Sequence, residues 1–158
     1  MNNADREAWE HLPSIYVRLH KDPLGYPPKK WEQLKAELTT QPGIYRLKSI
    51  PLYARGLALE DEIATGSSPE GYSPVFTSVT KRSGFSTMRL SIAETEGRHE
   101  IVQYFNERGV LLEFDGSLVA LAIPRDVFDQ VSEYICDQKT RGRWDAEDGY
   151  LVTDEPNA

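Results

Sequence analysis

The stretch TMRLSIAETEGRHEIVQYFNERGVLLEFDGSLVALAI, residues 87–123, carries the clearest structural pattern in the chain. Short apolar alternations predict strands at three places within it: residues 87–93, 110–114 and 117–123. Residues 98–108 are predicted to form a helix, which Gly109 ends as a C-terminal cap. The Asp115-Gly116 pair is typical of a tight turn, so the last two strands are predicted to form a hairpin.

The residues that follow extend this pattern. Pro124 precedes a second predicted helix, residues 126–139, and Gly142 lies just beyond its end. Residues 143–152 then supply a final short strand. Residues 87–152 therefore follow the order strand–helix–strand–strand–helix–strand, which is the ferredoxin-like arrangement.

The residues before the stretch are rich in predicted strands. Apolar alternation indicates strands at three places: residues 15–19, 44–50 and 75–80. Two segments contain several proline, glycine or serine residues and are predicted to be loops and turns: residues 22–28 and 52–71. This half of the chain is therefore predicted to consist of hairpins that form a partial barrel.

Residues 31–38 fit two structures. Trp31, Leu34 and Leu38 share one stripe of a helix, while Leu34, Ala36 and Leu38 alternate as in a strand. Because the Pro42-Gly43 turn follows, we favour a hairpin.

These elements predict an α+β fold, with a β-rich N-terminal half followed by a ferredoxin-like half. The predicted organisation is a polar tail over residues 1–12, a β-rich subdomain over 13–86, a ferredoxin-like subdomain over 87–152 and an acidic tail over 153–158. We expect Trp9 to fold back from the tail onto the body. The length of 158 residues suits one compact unit.

The charge of the chain is uneven. The formal net charge is −7, and residues 126–158 carry nine acidic and three basic residues, or −6 of that total. An acidic chain is a poor match for nucleic acid, because phosphate binding needs clustered lysine and arginine. The acidic end is either a solvated face or a surface for a partner.

The second predicted helix has one acidic face. At about 100° per residue, four carboxylates fall on one side and the apolar residues on the other. The carboxylates are Asp126, Asp129, Glu133 and Asp137. A row of like charges mildly destabilises a helix. The acidic face therefore has two explanations, recognition of a cationic partner or chance.

The segment RGRWDAEDGY, residues 141–150, combines arginines, a tryptophan and acidic residues between glycines. Tryptophan and arginine are enriched where protein partners bind most strongly. Trp144 therefore has two interpretations, an anchor for a partner or a side chain that fills the core beside Tyr150.

No familiar catalytic or metal-binding motif is present. GxSxG, phosphate-loop, GxGxxG and HExxH patterns are missing, the three histidines are far apart, and Cys136 has no histidine near it in sequence. A carboxylate pair that joins Glu113 or Asp115 to Asp145 or Glu147 is the weakest of the functional hypotheses. We therefore predict no catalytic residues, no metal and no cofactor.

The chain also lacks sequence signals for membranes or export. No apolar run approaches the roughly 20 residues of a membrane span, and the N-terminus does not have the pattern of a signal peptide. We therefore expect a cytoplasmic protein with no membrane partner.

Three segments of the chain have a recognisable pattern: WEQLKAE (31–37), GIYRLKSIP (43–51) and LYARGLALED (52–61). Together they resemble the bacterial domain-of-unknown-function 4265 family, to which the RSG (82–84) and GRW (142–144) stretches are also similar. Glu60 departs from the pattern, in which a glycine precedes Asp61. The resemblance favours a hairpin over residues 31–50 and implies no catalytic residues.

Small acidic bacterial proteins of this kind are often immunity proteins, and by this analogy we expect a protein that occludes the active site of a cognate toxin domain. The partner would have a basic cleft, as do toxins that act on nucleic acid or nucleotides. The expected partner-binding residues are Asp129, Glu133, Asp137, Arg141, Arg143, Trp144, Asp145, Glu147 and Asp148. The protein would be a monomer or a homodimer.

The alternative is a non-catalytic module that senses a small ligand or regulates another process. Ferredoxin-like halves often pair their sheets in dimers and bind a small molecule at the sheet edge. In that case Arg46, Tyr53 and Arg55 would face an anionic ligand.

Overall fold

A computed structural model describes residues 2–93 and 97–154. The described residues form a mixed α+β structure of nine strands, three α-helices and two sheets. The chain divides into two compact units. The first unit is Met1–Ser49 with Glu60–Arg82, and the second is Ile50–Leu59 with Ser83–Ala158. The sequence division at residue 86 did not assign Ile50–Leu59 to the C-terminal half.

The first unit is a small barrel. Its elements are α1 (Asn3–Glu10), β1 (Ser14–Arg18), β2 (Trp31–Leu38), β3 (Ile44–Leu47), β4 (Glu62–Gly66) and β5 (Val75–Lys81). Consecutive strands pair antiparallel, and a parallel contact between Tyr16 of β1 and Val75 of β5 closes the barrel. Buried Ile15, Leu34 and Ile63 belong to its interior.

The predicted polar tail contains helix α1. The Asn2 side chain caps the helix by accepting a hydrogen bond from the Asp5 backbone N–H at 2.8 Å. No residue of α1 is buried, which explains why the segment has no apolar stripe. Trp9 packs back as expected, and its Nε1 donates to the Lys48 carbonyl at 3.3 Å.

Residues 31–38 are a strand that forms a hairpin with β3, as favoured. Ala36 lies opposite Leu47, and both are buried. Both interpretations of the sequence counted Leu38 among the apolar positions, but it is the last residue of β2 and is 64% exposed. Strand β4 was missed because Ile63 is its sole buried residue, and one apolar position gives no recognisable alternation.

Glu60 takes the conformation that suits the glycine implied by the family pattern. Its φ is +68°, in the left-handed region that non-glycine residues seldom adopt. Its carboxylate accepts from the Lys48 ammonium at 2.7 Å. The next residue, Asp61, is fully buried and accepts a hydrogen bond from Arg82 Nη1 at 3.0 Å.

The second unit is a four-stranded antiparallel sheet with two helices. Its elements are β6 (Ser86–Ser91), α2 (Arg98–Asn106), β7 (Leu111–Asp115), β8 (Leu118–Ile123), α3 (Phe128–Thr140) and β9 (Asp145–Tyr150). The strand order is β7-β8-β6-β9. Met88 and Leu90 of β6 share one core with Phe105 of α2 and Val131 of α3, so both helices pack on the same face of the sheet.

The other face of this sheet is covered by residues Ile50–Leu59, which we call the strap. Ile50 and Leu59 pack against Ala120 and Ala122, which alternate with the helix-side residues of β8. Thr87 Oγ1 also donates to the Leu57 carbonyl at 2.8 Å. The strap therefore occupies the face that a pairing of sheets between two copies would need.

Candidate functional site

A buried arginine holds the strap against the sheet. Arg89 lies on β6, and its side chain is 0% exposed. Its Nη1 donates to the carbonyls of Ala54 at 2.8 Å and Pro51 at 3.2 Å, and its Nε donates to Glu147 Oε1 at 2.7 Å. The second carboxylate oxygen of Glu147 lies 3.7 Å from Arg55 Nη2. Arg89 is therefore a structural tether between the strap and β9.

The carboxylates considered for catalysis also hold the strap. Glu113 Oε1 accepts from the Ile50 N–H at 3.2 Å, and Asp115 Oδ2 accepts from the Tyr53 hydroxyl at 3.3 Å. By strand register, Glu113 and Glu147 lie on the same row of the sheet, with Arg89 between them. Their backbones are three strand spacings apart, about 14 Å. The geometry does not bring these two groups together as an acid–base pair.

Helix α3 has the two faces that its periodicity predicts. Its buried residues are Phe128, Val131, Ile135 and Gln138. Asp129, Glu133 and Asp137 are exposed on the other side, while Asp126 lies in a short 3₁₀ turn ahead of the helix. Asp137 is paired with Arg141 at 3.2 Å, between Oδ2 and Nε. Within the described residues, Asp129 and Glu133 form no ion pair.

Strand β9 separates the acidic residues predicted in it. Asp148 lies opposite Met88, whose side chain is on the helix side of the sheet. Asp145 lies opposite Ser91, and Glu147 lies opposite Arg89, so both belong to the strap side. Asp148 therefore shares a side with α3. We call Asp129, Glu133 and Asp148 the acidic surface.

Two expected partner-binding residues are engaged inside the second unit. Trp144 is 7% exposed and belongs to the helix-side core, where its ring meets the edge of Tyr134 at 6.0 Å between centroids. This burial corrects its assignment to a partner surface. Glu147 forms an ion pair with Arg89, so it too is removed from the predicted partner surface. Arg143 is exposed and lines a cleft of about 310 Å³ beside Tyr134 and Glu100.

The three residues of the ligand-sensing hypothesis are divided between the units. Tyr53 and Arg55 belong to the strap, whereas Arg46 lies on β3 of the barrel. Arg46 donates to Glu37 at 2.9 Å and to Glu62 at 2.8 Å. The hydrogen bond from Arg46 lowers the pKa of the Glu37 carboxyl, and the hydrogen bonds to Glu37 and Glu62 raise the pKa of Arg46. Neither unit by itself contains the predicted set.

Arg89 is the residue that sequence reasoning missed. It stands between Met88 and Leu90, so the alternation of β6 indicates a solvent-facing side chain there. The strap that covers it comes from residues 50–59, about 30 positions earlier in the chain. No local pattern predicts that cover.

The described residues lack two further features, a cluster of metal ligands and a helix that could span a membrane. In residues 2–93 and 97–154, no three histidine, cysteine, aspartate or glutamate side chains are grouped so that they can hold a metal ion. Over the same residues, no helix has the length and apolar character needed to cross a membrane.

The described architecture defines a class of α+β protein that joins a five-stranded barrel to a four-stranded sheet with two helices. A crystal structure of a hypothetical protein from Neisseria gonorrhoeae has a similar fold, with a TM-score of 0.72 and 17% sequence identity. The similarity covers 89% of this chain and 95% of the other. At that identity it establishes the fold alone.

The family follows from the sequence match. The family described as a domain of unknown function, DUF4265, matches residues 32–146. The chain belongs to this family, which confirms the resemblance drawn from its strand and turn segments. No curated protein matches the chain.

Proposed function

We propose that this protein is a cytoplasmic immunity protein that binds a cognate toxin domain and occludes its active site without catalysing a reaction. The observation that carries the proposal is the acidic surface. Asp129, Glu133 and Asp148 are exposed on one side of the second unit, and none of them forms an ion pair within the described residues. Their charge is therefore available to a partner.

The chemistry of this surface favours a basic partner. Carboxylates on one side of a unit attract a cationic cleft over several ångströms and speed the encounter. Asp129 and Glu133 are also one helical turn apart on the same side of α3, where their mutual repulsion is relieved when a cation approaches. A toxin that acts on nucleic acid or nucleotides presents such a cleft.

We also infer that the second unit is ferredoxin-like. Numbered within the unit, its strands lie in the order 2-3-1-4, all neighbours are antiparallel, and both helices pack on one face. The element order strand–helix–strand–strand–helix–strand supports the same assignment.

The ligand-sensing alternative has less support. It needs an open sheet face for dimerisation, and the strap fills that face in the second unit. It also needs Arg46 to be available to an anion, whereas this guanidinium already donates to Glu37 and Glu62. We therefore favour the toxin-binding function.

The proposal is tested by co-expression. Products of the genes beside this one are expressed singly in bacteria and then together with this protein, and survival is measured. We expect one product to be lethal alone and harmless with this protein. The variant Asp129→Lys/Glu133→Lys/Asp148→Lys should lose protection and bind the purified toxin domain at least 100-fold more weakly.

A matched control changes the net charge equally at exposed positions outside the acidic surface. The variant Glu7→Lys/Glu10→Lys/Glu107→Lys should protect as well as the wild type. The proposal is wrong if no neighbouring product is lethal, or if the acidic-surface variant protects fully. Circular dichroism of each variant establishes that it is folded.

A further inference from the structure

The first unit carries an aromatic cluster on the outside of its barrel, in which Tyr72 is exposed and Tyr16 and Trp31 are half-buried. The Tyr72 ring lies 4.7 Å from the Trp31 ring and 5.1 Å from the Tyr16 ring, measured between centroids. The Arg18 guanidinium lies 5.2 Å from the Trp31 centroid, and its Nη1 donates to Glu70 at 2.7 Å. The cluster is therefore built and held in place before any partner arrives, which lowers the entropy cost of binding.

Next to this cluster, a fixed loop presents a leucine to solvent. Leu24 is 94% exposed. The Asp22 carboxylate accepts hydrogen bonds from the backbone N–H groups of Leu24 at 2.8 Å and Tyr26 at 3.0 Å. The Asp22 N–H also donates to the Tyr26 carbonyl at 2.7 Å. A large apolar side chain is thus held in water by a rigid turn.

The loop and the cluster belong to the same end of one hairpin. Arg18 on β1 lies directly opposite Trp31 on β2, and the loop begins at the next backbone pair, in which the Leu19 N–H donates to the Lys30 carbonyl. Leu24 is five positions beyond Leu19 in the chain, so its Cα lies within about 17 Å of that pair. We call Tyr16, Arg18, Leu24, Tyr26, Trp31 and Tyr72 the hairpin-tip surface.

This end of the barrel is basic, although the chain as a whole is acidic. Residues 18–31 contain one acidic residue, Asp22, and four basic residues. The basic residues are Arg18, Lys21, Lys29 and Lys30, and all four are exposed. The Glu70 carboxylate is paired with Arg18 at 2.7 Å, so the four basic residues face two acidic ones, Asp22 and Glu70. A partner at this surface therefore meets a net positive charge, supplied mainly by the lysines.

From these observations we propose that the hairpin-tip surface binds an acidic, apolar-containing segment of another protein. Tryptophan, tyrosine and arginine are the residues enriched where protein partners bind most strongly, and the surrounding lysines complement acidic side chains. This surface belongs to the first unit and the acidic surface belongs to the second, and the proposal does not depend on the toxin-binding function.

A protein segment fits this surface better than single-stranded nucleic acid. Bases stack on aromatic rings whose faces are free, whereas Tyr72 already packs against Trp31 and Tyr16. Leu24 adds nothing to phosphate recognition, but it suits an apolar position of a peptide.

The test selects peptides from a phage-displayed library of random 12-residue sequences on the full-length protein. Selected peptides are synthesised, and their binding is measured by fluorescence anisotropy. We expect them to be acidic and to contain apolar residues. The variant Lys21→Glu/Leu24→Ser/Lys30→Glu should bind them at least tenfold more weakly. All three side chains are exposed, so we expect this variant to fold as the wild type does.

A matched control makes the same changes elsewhere. The variant Leu38→Ser/Lys81→Glu/Lys139→Glu alters exposed side chains of the same types and should bind the peptides as the wild type does. The proposal is overturned if no peptide is enriched, if the enriched peptides are not acidic, or if the hairpin-tip variant binds them equally well. Tighter binding of a 20-residue oligo-dT than of any peptide would overturn it in favour of nucleic acid.

Discussion

Among the described residues, each unit has one charged side chain that is 0% exposed, and the two buried charges have opposite signs. In the first unit, the buried Asp61 carboxylate is paired at 3.0 Å with Arg82, whose side chain is 33% exposed. In the second unit, the buried Arg89 guanidinium is paired at 2.7 Å with Glu147, whose side chain is 34% exposed. The buried member is an acid in one case and a base in the other.

This contrast identifies which member of each pair is the more sensitive to substitution. A buried charge that loses its partner cannot recover its hydration, whereas a partly exposed charge turns to water. Removal of the exposed member should therefore destabilise each unit more than removal of the buried member. The predicted order depends on burial and not on the sign of the charge.

The largest effects are expected at the two buried pairs, of which the first lies in the second unit. Glu147→Ala leaves Arg89 buried without its counter-ion and should lower the free energy of unfolding by about 3–5 kcal/mol. Arg89→Met removes the buried charge but also removes the donor that Nη1 supplies to the Pro51 and Ala54 carbonyls, at a cost of about 1–3 kcal/mol. Urea unfolding followed by Trp144 fluorescence, in a Trp9→Phe/Trp31→Phe background, reports on this unit. A larger loss for Arg89→Met than for Glu147→Ala would contradict the argument.

The same experiment in the first unit reverses the chemical types. Arg82→Met leaves the buried Asp61 carboxylate without this cation, and we expect a loss of about 3–5 kcal/mol. Asp61→Asn keeps the shape and removes the buried charge, so its cost should be smaller, about 1–3 kcal/mol. Trp9 fluorescence in a Trp31→Phe/Trp144→Phe background follows this unit. If Asp61→Asn is the more damaging change, the comparison between units fails.

The two buried charges also show how far sequence predicts this fold. Helix α3 and most of the strands were predicted because their apolar residues, such as Leu34, Leu90 and Val131, recur at regular spacing. Strand β4 and the strap were not predicted, since their positions depend on distant parts of the chain. Trp144 had two interpretations because a tryptophan suits both a core and an interface. Only its burial in the structure distinguishes the two.

The acidic surface was only partly predictable for a related reason. Helical periodicity correctly placed Asp129 and Glu133 on the outer side of α3. Glu147 looked equivalent to them by charge, but its partner Arg89 lies 58 residues away in sequence. Net charge and spacing therefore predict the side on which a carboxylate lies, and they do not predict whether an arginine already neutralises it.

A smaller effect is expected at Glu60, beside the buried Asp61. Its φ of +68° costs about 1 kcal/mol for a residue with a Cβ. Both Glu60→Gly and Glu60→Ala lose the bond to Lys48, so the difference between them isolates the backbone. Glu60→Gly should be more stable than Glu60→Ala by about 1 kcal/mol in urea unfolding. Equal stabilities of the two variants would show that the backbone at position 60 relaxes when Glu60 is replaced. The left-handed conformation would then not be needed to position Asp61.

The smallest effect is expected at an exposed pair, which sharpens the contrast with the two buried ones. Hydrogen bonds from Arg46 lower the pKa of Glu37 below its ordinary value of 4.5. A lowered pKa in the folded state stabilises the protein above the unfolded-state value, and this contribution is lost as the pH falls through the folded-state value. Because the Glu37 side chain is 35% exposed, solvent limits the contribution to less than about 1 kcal/mol.

Glu37→Gln should therefore be slightly less stable than the wild type at pH 7, and the difference should shrink as the pH falls below 4.5. Urea midpoints at pH 7 and at successively lower pH provide the measurement, and Glu7→Gln, at an exposed position of α1, serves as the control. A difference that stays constant with pH would mean that Glu37 contributes through packing and not through its charge. A loss as large as that of Glu147→Ala would mean that exposure does not set the cost of breaking an ion pair in this protein.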